Sequence, residues 1–438
     1  MKRYVLVGAG SRASLYIDAL GGEFKEAGEL VALCDINHTR MMYWHDYMVN
    51  TLHAKAPALY DAADFDRMIQ EMHPDKVIVT SIDRTHHRYI IKAMEAGCDV
   101  ISEKPMTIDA EKCKVILDAI KRTGRDLIVT FNYRYSPRNA KVREVLASGI
   151  VGDITSVHFE WLLDTSHGAD YFRRWHRDKR NSGGLLVHKA THHFDLMNWW
   201  LHSIPETVFA MGDLKFYGRE NAELRGIREF YPRSRNSAIA SRDPFALKVT
   251  PEDERLIGLY YNAEHEDGYG RDLSVFSDGI SIEDNMAVMV RYRNRAVMTY
   301  CLNAHSPWEG YRVCFNGTKG RLEFNVVETS YVSGNHEDFN QPGMRELGVD
   351  KKNLVPEIVF QPHWGKPQTI EYSCESLAGH GGGDQRMLRH IFCGAEDDPL
   401  GQAAGLRDGA YSILTGIAAN RSMATGLPIK VEDLVKVD

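Results

Sequence analysis

Apolar runs of four or five residues alternate with amphipathic stretches through the first 130 residues of the chain. The runs lie at 4–7, 30–34, 76–80, 99–102 and 127–130. They are continuous rather than alternating, so each strand needs cover on both faces. Stretches at 14–20, 65–72, 87–96 and 110–123 have helical spacing, and Gly97 supplies a stop for the third of them. Strands of this kind joined by helices predict an α/β fold: a doubly wound parallel sheet, the Rossmann architecture.

The first strand runs into Gly8-Ala9-Gly10-Ser11-Arg12-Ala13. This is the Gly-x-Gly-x-x-Ala form of the dinucleotide fingerprint. Gly8 allows the tight turn, and Gly10 lets backbone approach a pyrophosphate. Ala13 is small enough for close helix–strand packing. Ser11 and Arg12 open a helix whose N-terminus carries partial positive charge. Asp35 ends the second strand, where an acid can accept ribose hydroxyls and repel a 2′-phosphate. NAD is the predicted cofactor. Arg40 and Asn37 lie nearby and keep NADP open.

The pattern changes near residue 135. Segments 154–163, 287–292, 296–302, 311–315 and 321–325 read as strands, with turns at Asn316-Gly317 and Lys319-Gly320. They predict a C-terminal α+β domain with a large open, mainly antiparallel sheet. One helix is expected over 186–201. Residues 218–275 read as an insertion or lid, or equally as surface loop, and 326–378 as irregular. A helix at 403–424 is expected to pack back on the body. The division is thus 1–132, dinucleotide-binding, and 133–438, substrate binding and oligomerisation. The length of 438 residues, 43% hydrophobic, supports both.

A net charge of −7 argues against a nucleic-acid partner. Seven scattered cysteines without a Cys-x-x-Cys argue against a disulfide framework or zinc ribbon. No signal peptide and no apolar run of membrane length is visible, so a cytoplasmic protein without a membrane partner is expected.

Several short motifs then recur in a set order. They are Ser81-Ile82-Asp83-Arg84-Thr85-His86, Glu103-Lys104-Pro105, Asn132-Tyr133-Arg134-Tyr135, Gly183-Gly184, His192-x-x-Asp195 and Gly317-Thr318-Lys319-Gly320. Together with the nucleotide loop, they resemble the glucose–fructose oxidoreductase, inositol dehydrogenase and rhizopine catabolism family, written Gfo/Idh/MocA. The resemblance covers nearly the whole chain. It implies hydride transfer between a nicotinamide and a hydroxyl of a sugar, glycoside or cyclitol. It also implies a homo-oligomer, dimer or tetramer, built on the open sheet. It carries Ser81, Asp83, His86, Glu103, Lys104, Asn132 and Arg134 to the cofactor side of the cleft. Lys104 takes the position of the lysine beside the reacting hydroxyl.

The family commonly shows Asp-x-Gly-x-His-x-x-Asp. Here the stretch reads His188-Lys189-Ala190-Thr191-His192-His193-Phe194-Asp195. His192 takes the position of the catalytic histidine, Asp195 that of the downstream acid, and His188 replaces the first acid. On one continuous helix, His188, His192 and Asp195 would share a face, with Trp199 continuing it. A neutral histidine suits the proton transfer that accompanies hydride loss, and Lys104 suits a developing alkoxide. The base is left among His188, His192 and Lys104. His193 stands off that face and reads as structural. Substrate contacts are expected from Tyr135, Arg173, Arg174, Trp175, His176, His188, His192, Trp308, Glu309 and His380, since sugars favour aromatic faces and planar polar groups. His380-Gly381-Gly382-Gly383-Asp384 reads as a flexible turn at the pocket rim. His188 and His192 have a zinc-compatible spacing, but no metal is predicted.

Two other readings stay open. One is a redox-neutral NAD-dependent glycosidase working by oxidation, elimination and reduction. The other is a non-enzymatic NAD-binding regulator.

Overall fold

The computed structural model describes residues 1–332, 334, 357–373, 378–394 and 397–437. Its first sheet has six parallel strands: β1 Lys2–Val7, β2 Gly28–Asp35, β3 Ala58–Asp61, β4 Lys76–Val79, β5 Asp99–Ser102 and β6 Leu127–Val129. Their order is β3-β2-β1-β4-β5-β6. The order reverses between β1 and β4, and a crevice opens there beyond the carboxyl ends of the strands. The helix His38–Asn50 and the edge strand β3 were not predicted. β3 is four residues long and only Tyr60 in it is buried, so it leaves no apolar run in the sequence.

The second sheet holds β7 Ile154–Asp164, β8 Pro205–Asp213, β9 Asn285–Tyr292, β10 Val297–Ser306, β11 Glu309–Gly317, β12 Gly320–Thr329, β13 Glu357–Pro362, β14 Gln368–Ile370 and β15 Ile429–Lys430. The order is β14-β13-β12-β11-β7-β10-β9-β8-β15. Only β7 and β10 pair in parallel; the other neighbours are antiparallel. The predicted open, mainly antiparallel sheet is therefore present. Burial alternates along β9, with Met286, Val288, Val290 and Tyr292 inward and Met289 outward. That period of two is what a sheet with one covered face requires. β13 and β14 correct the irregular reading of 326–378; they are short strands at the sheet edge, and 335–356 lie outside the described residues.

The covered face packs on the helices Thr191–Leu201 and Leu406–Thr425. Trp161 of β7 is stacked between His193 at 3.8 Å and Tyr311 at 4.4 Å, measured between ring centroids. His193 also bonds the Tyr300 hydroxyl at 2.6 Å. The helix Leu406–Thr425 packs against β8 and against the helix Thr191–Leu201. Its Gly416 lies against backbone: a Cβ there would be 2.2 Å from the Leu186 carbonyl oxygen. Just before this helix, the Ala404 carbonyl accepts the Val129 N–H at 3.0 Å, on the outer edge of the first sheet.

The single helix expected over 186–201 is two: Leu185–His188 and Thr191–Leu201. The Ala190 N–H donates to the Leu185 carbonyl, five residues back, and a turn at 189–190 starts a new helix. His188 therefore does not share a helical face with His192 and Asp195.

The 218–275 segment is built into the body. At its root the buried Asp284 carboxylate accepts the N–H groups of Lys215, Phe216 and Tyr217 at 2.7–2.9 Å. Farther along, Arg271 makes two hydrogen bonds to Asp170, which also holds Arg174. Among the described residues, no helix is long and apolar enough to cross a membrane.

Candidate active site

A cavity of about 720 Å³ occupies the crevice at the sheet reversal. Gly8, Gly10, Ser11, Arg12 and Asp35 line one end. Gly8 has φ +102°, and a Cβ on it would meet Ser81 N at 2.4 Å. A Cβ on Gly10 would meet no protein atom within 4 Å. Internal packing therefore does not require a glycine at position 10, whereas close approach of a pyrophosphate does. The Asp35 carboxylate accepts the N–H groups of Ala9 at 2.5 Å and Asn37 at 2.9 Å, which aims it into the cavity. Ile36, 64% exposed, adds an apolar platform beside it. These groups fit the adenosine and pyrophosphate of a dinucleotide.

Ser81, Asp83, His86, Glu103, Lys104 and Asn132 line the middle of the same cavity. Most are already engaged by the protein. His86 is held between the carbonyls of Ser81 and Pro105, at 2.8 and 2.9 Å. Glu103 accepts from Arg12 and from the Tyr16 hydroxyl, both at 2.7 Å. The Asn132 amide donates to Asp384 at 2.5 Å. The Lys104–Pro105 peptide is cis.

The opposite wall carries Arg174, Trp175, His176, His188 and His192. His188 Nδ1 lies 2.5 Å from Asp83 Oδ2, across the boundary between the two sheets. Lys104 Nζ lies 3.4 Å from the His188 carbonyl oxygen. Burial pushes the Lys104 ammonium down to about 8, aided by the charge of Lys189 and opposed by Asp83 and Glu103. Burial, then His176 and Lys104, hold His188 well below the usual imidazole range. Burial likewise drives the Asp83 carboxyl up, against the pull of Lys104 and Arg174. Both shifts have burial as their largest cause, and both work against the charged forms of the two partners. His192, 3% exposed, sits in the first turn of its helix, edge-on to Tyr133 at 4.8 Å and Phe131 at 6.0 Å.

Other predicted residues lie elsewhere. Arg134 is buried in a closed cluster: Nε and Nη2 bond Asp195 at 2.8 and 2.5 Å, and Nη2 also bonds Asp408 at 2.8 Å. It lines a separate cavity with Trp199, whose indole donates to the Leu400 carbonyl. The guanidinium therefore turns away from the cofactor crevice, and Asp195 serves as its partner. The Tyr135 hydroxyl bonds His390. Arg173 is buried and bonds the Ser166 carbonyl. Trp308 packs beneath Arg312, and Glu309 binds His167 at 2.8 Å. Neither lines the crevice. Residues 381–384 fall in the span Ala378–Cys393, where Gly381 and Gly382 have φ of +67° and +82° and so keep a local turn; a Cβ on Gly383 would meet Asn132 O at 2.3 Å. The His380 side chain lies outside the described residues. Among the described residues, no group of three or more His, Cys, Asp or Glu is placed to hold a metal.

Sequence reasoning missed Tyr260, Asp267 and Tyr269, which complete the cavity wall from the insertion. The Tyr260 hydroxyl accepts the Ser11 N–H at 3.2 Å. Their segment is polar and weakly periodic, so nothing in it signals a partner some 250 residues away.

Residues 2–131 match the model of an oxidoreductase family with an NAD-binding Rossmann fold, and residues 143–431 match that family's C-terminal alpha/beta domain. The chain belongs to the Gfo/Idh/MocA oxidoreductase family. Within it, YteT of Bacillus subtilis, which carries an oxidoreductase name, is 35% identical over 449 residues, spanning 100% of this chain and 99% of YteT. A glycosyl hydrolase family 109 protein of Shewanella baltica is 23% identical over 432 residues, 96% of this chain and 82% of its own. The WlbA dehydrogenase of Bordetella pertussis, solved with NADH and UDP-GlcNAcA, superposes with a TM-score of 0.62 at 18% identity, covering 98% of both chains. The Gfo/Idh/MocA assignment makes this an NAD-binding oxidoreductase fold, whose cofactor half meets the Asp83–His188 and Lys104 groups in one crevice.

Proposed function

We propose that the chain oxidises or reduces a CH–OH group of a sugar, glycoside or cyclitol with NAD(P). The observation that carries this reading is the convergence of Lys104, the Asp83–His188 pair and His192 on the crevice that Gly8, Gly10 and Asp35 fit to a dinucleotide. The bound nicotinamide supplies the hydride acceptor or donor. Lys104 places an ammonium on the substrate oxygen and stabilises the alkoxide as it forms. His192 takes the hydroxyl proton, in the position its family motif keeps for that role. Asp83 stands behind His188 as the acid partner of the imidazole, beside the position where the family motif has an acid. This resembles the carboxylate–imidazole logic by which an acid fixes a ring's tautomer and orientation. Arg174, Trp175 and His176 present planar polar and aromatic faces suited to a carbohydrate.

The test is incubation with NAD and a panel of free sugars, cyclitols and glycosides, following reduced cofactor and ketone together. Their parallel formation supports the reading. Dinucleotide binding without turnover on any of them favours a regulator.

A second reading, redox-neutral glycoside cleavage, has one observation in its favour, the nearly full-length likeness to the family 109 protein. Aglycone release without net NADH would establish it. Self-association is also proposed, through the outward face of the second sheet, where Met289 is 51% and Val297 37% exposed. Light scattering on the purified protein tests it, and a monomer would refute it.

A further inference from the structure

The adenosine end of the crevice contains a cation that the cofactor question turns on. Arg40 lines the cavity beside Asp35. An arginine in this region is the usual partner of a 2′-phosphate, so Arg40 alone would argue for NADP. Its surroundings reverse that. Arg40 Nη1 bonds Asp267 Oδ2 at 2.5 Å, and Nε donates to the Leu259 carbonyl at 2.8 Å. Both side chains are nearly closed off from solvent, at 9% and 11% exposure. The guanidinium lies 5.8 Å from the ring centroids of Tyr260 and Tyr269. All four contacts come from the insertion.

Two carboxylates, Asp35 and Asp267, thus flank one guanidinium. Neutral ribose hydroxyls suit that balance. A phosphate carrying between one and two negative charges does not. The other terminal nitrogen, Nη2, is buried and has no hydrogen-bond partner among the described residues, so it is closed off rather than presented to a phosphate. Asp35, an acceptor at the cavity, matches ribose hydroxyls, which can donate to it.

The segment is well anchored in this position. Glu266 accepts the N–H groups of His38 and Thr39, and the Asn37 amide donates to the Ala263 carbonyl. Asp267 is therefore held against the first turn of the helix His38–Asn50.

We propose that Asp267 sets the choice of dinucleotide: by occupying Arg40, it makes the site accept NAD and reject NADP. This rests on the dinucleotide reading of the crevice. The role falls to a residue of the insertion, outside the Rossmann domain whose ligand it selects.

Equilibrium binding of NAD and NADP to the full chain, measured by calorimetry, tests this without any substrate. Wild type should bind NAD more tightly than NADP by about 100-fold or more, a few kcal/mol by the usual conversion. Asp267→Asn should narrow that ratio by about tenfold or more, mainly through tighter NADP binding. The double variant Asp267→Asn, Arg40→Met should lose the gain. A ratio unchanged in Asp267→Asn would overturn the proposal, as would tighter NADP binding by wild type. Should Asp267→Asn not fold, Arg40→Met decides: NADP affinity should stay within about threefold of wild type, and a tenfold loss would show that Arg40 already serves the phosphate. If wild type binds neither dinucleotide, the reading of the crevice fails first and the proposal with it.

Discussion

The molecule buries two clusters of charge, and they are built on opposite principles. In one, the Arg134 guanidinium is taken up by the buried Asp195, the partly exposed Asp408 and a Gly401 carbonyl; Arg134 and Asp195 have side-chain exposures of 2% and 1%. In the other, Lys104, Asp83 and His188 face the crevice, and the His188 carbonyl, at 3.4 Å, is the hydrogen-bond partner of Lys104 Nζ among the described residues. Both clusters contain residues that family motifs single out. The difference is donor capacity left over. A closed cluster spends its charge on holding elements together; an open one keeps charge available to a ligand.

The largest effect expected from breaking this contrast is chemical. Lys104→Met should lower kcat/KM at least about 10³-fold while leaving the melting temperature unchanged or higher, because a buried ammonium is removed. Steady-state kinetics and calorimetry read the two halves separately. The same lysine gives a pH signature. Its proton is needed on the substrate oxygen and is lost near pH 8, so kcat/KM should fall above that value. Stability should run the other way. Between about pH 8 and 10.5 the unfolded chain still binds the proton that the folded chain has released, so stability rises over that window. Lys104→Met should lack the rise, and urea titrations across the window would check it.

The closed cluster should respond in stability instead. Arg134→Leu leaves the buried Asp195 carboxylate unpaired and should cost about 3–5 kcal/mol in urea denaturation, with substrate KM little changed in whatever fraction folds. A large KM effect at unchanged stability would erase the distinction drawn above. Asp83→Asn, which leaves His188 without its carboxylate, should lower kcat by about 10²-fold with a smaller change in stability. Rescue by Asp83→Glu would favour a positioning role. The mildest change falls on Gly416, where the helix bearing Asp408 presses on the segment leading to His188. Gly416→Ala should cost about 1–3 kcal/mol, because a Cβ cannot sit 2.2 Å from a carbonyl oxygen.

The parallel sheet and its nucleotide loop were legible because their signals are local: continuous apolar runs, two glycines and an acid at fixed offsets. The antiparallel sheet was legible in its central strands for the same reason. Less was legible at the site. The turn at 189–190 and the close approach of Gly416 to the Leu186 carbonyl just before it are features that periodicity does not register. Asp83 and His188 lie 105 residues apart, and the motif that carried Asp83 spoke for the cofactor rather than for a histidine. Arg134 matched a family motif, yet its partner Asp408 comes from the last long helix, so its closed role emerged only from the fold. Tyr260, Asp267 and Tyr269 come from a stretch whose polarity hid its contact with the crevice.

The bond from Val129 to Ala404 has a practical consequence. β6 is an outer strand, and residues 403–405 lie along it as a protective rim. A fragment ending at 132 would expose that strand's unpaired amide and carbonyl groups, a template for edge-to-edge aggregation. The dinucleotide-binding half is thus continuous in sequence, yet its last strand takes its cover from a segment of the other half. An excised version would need a covering segment or charged substitutions along its last strand to remain dispersed.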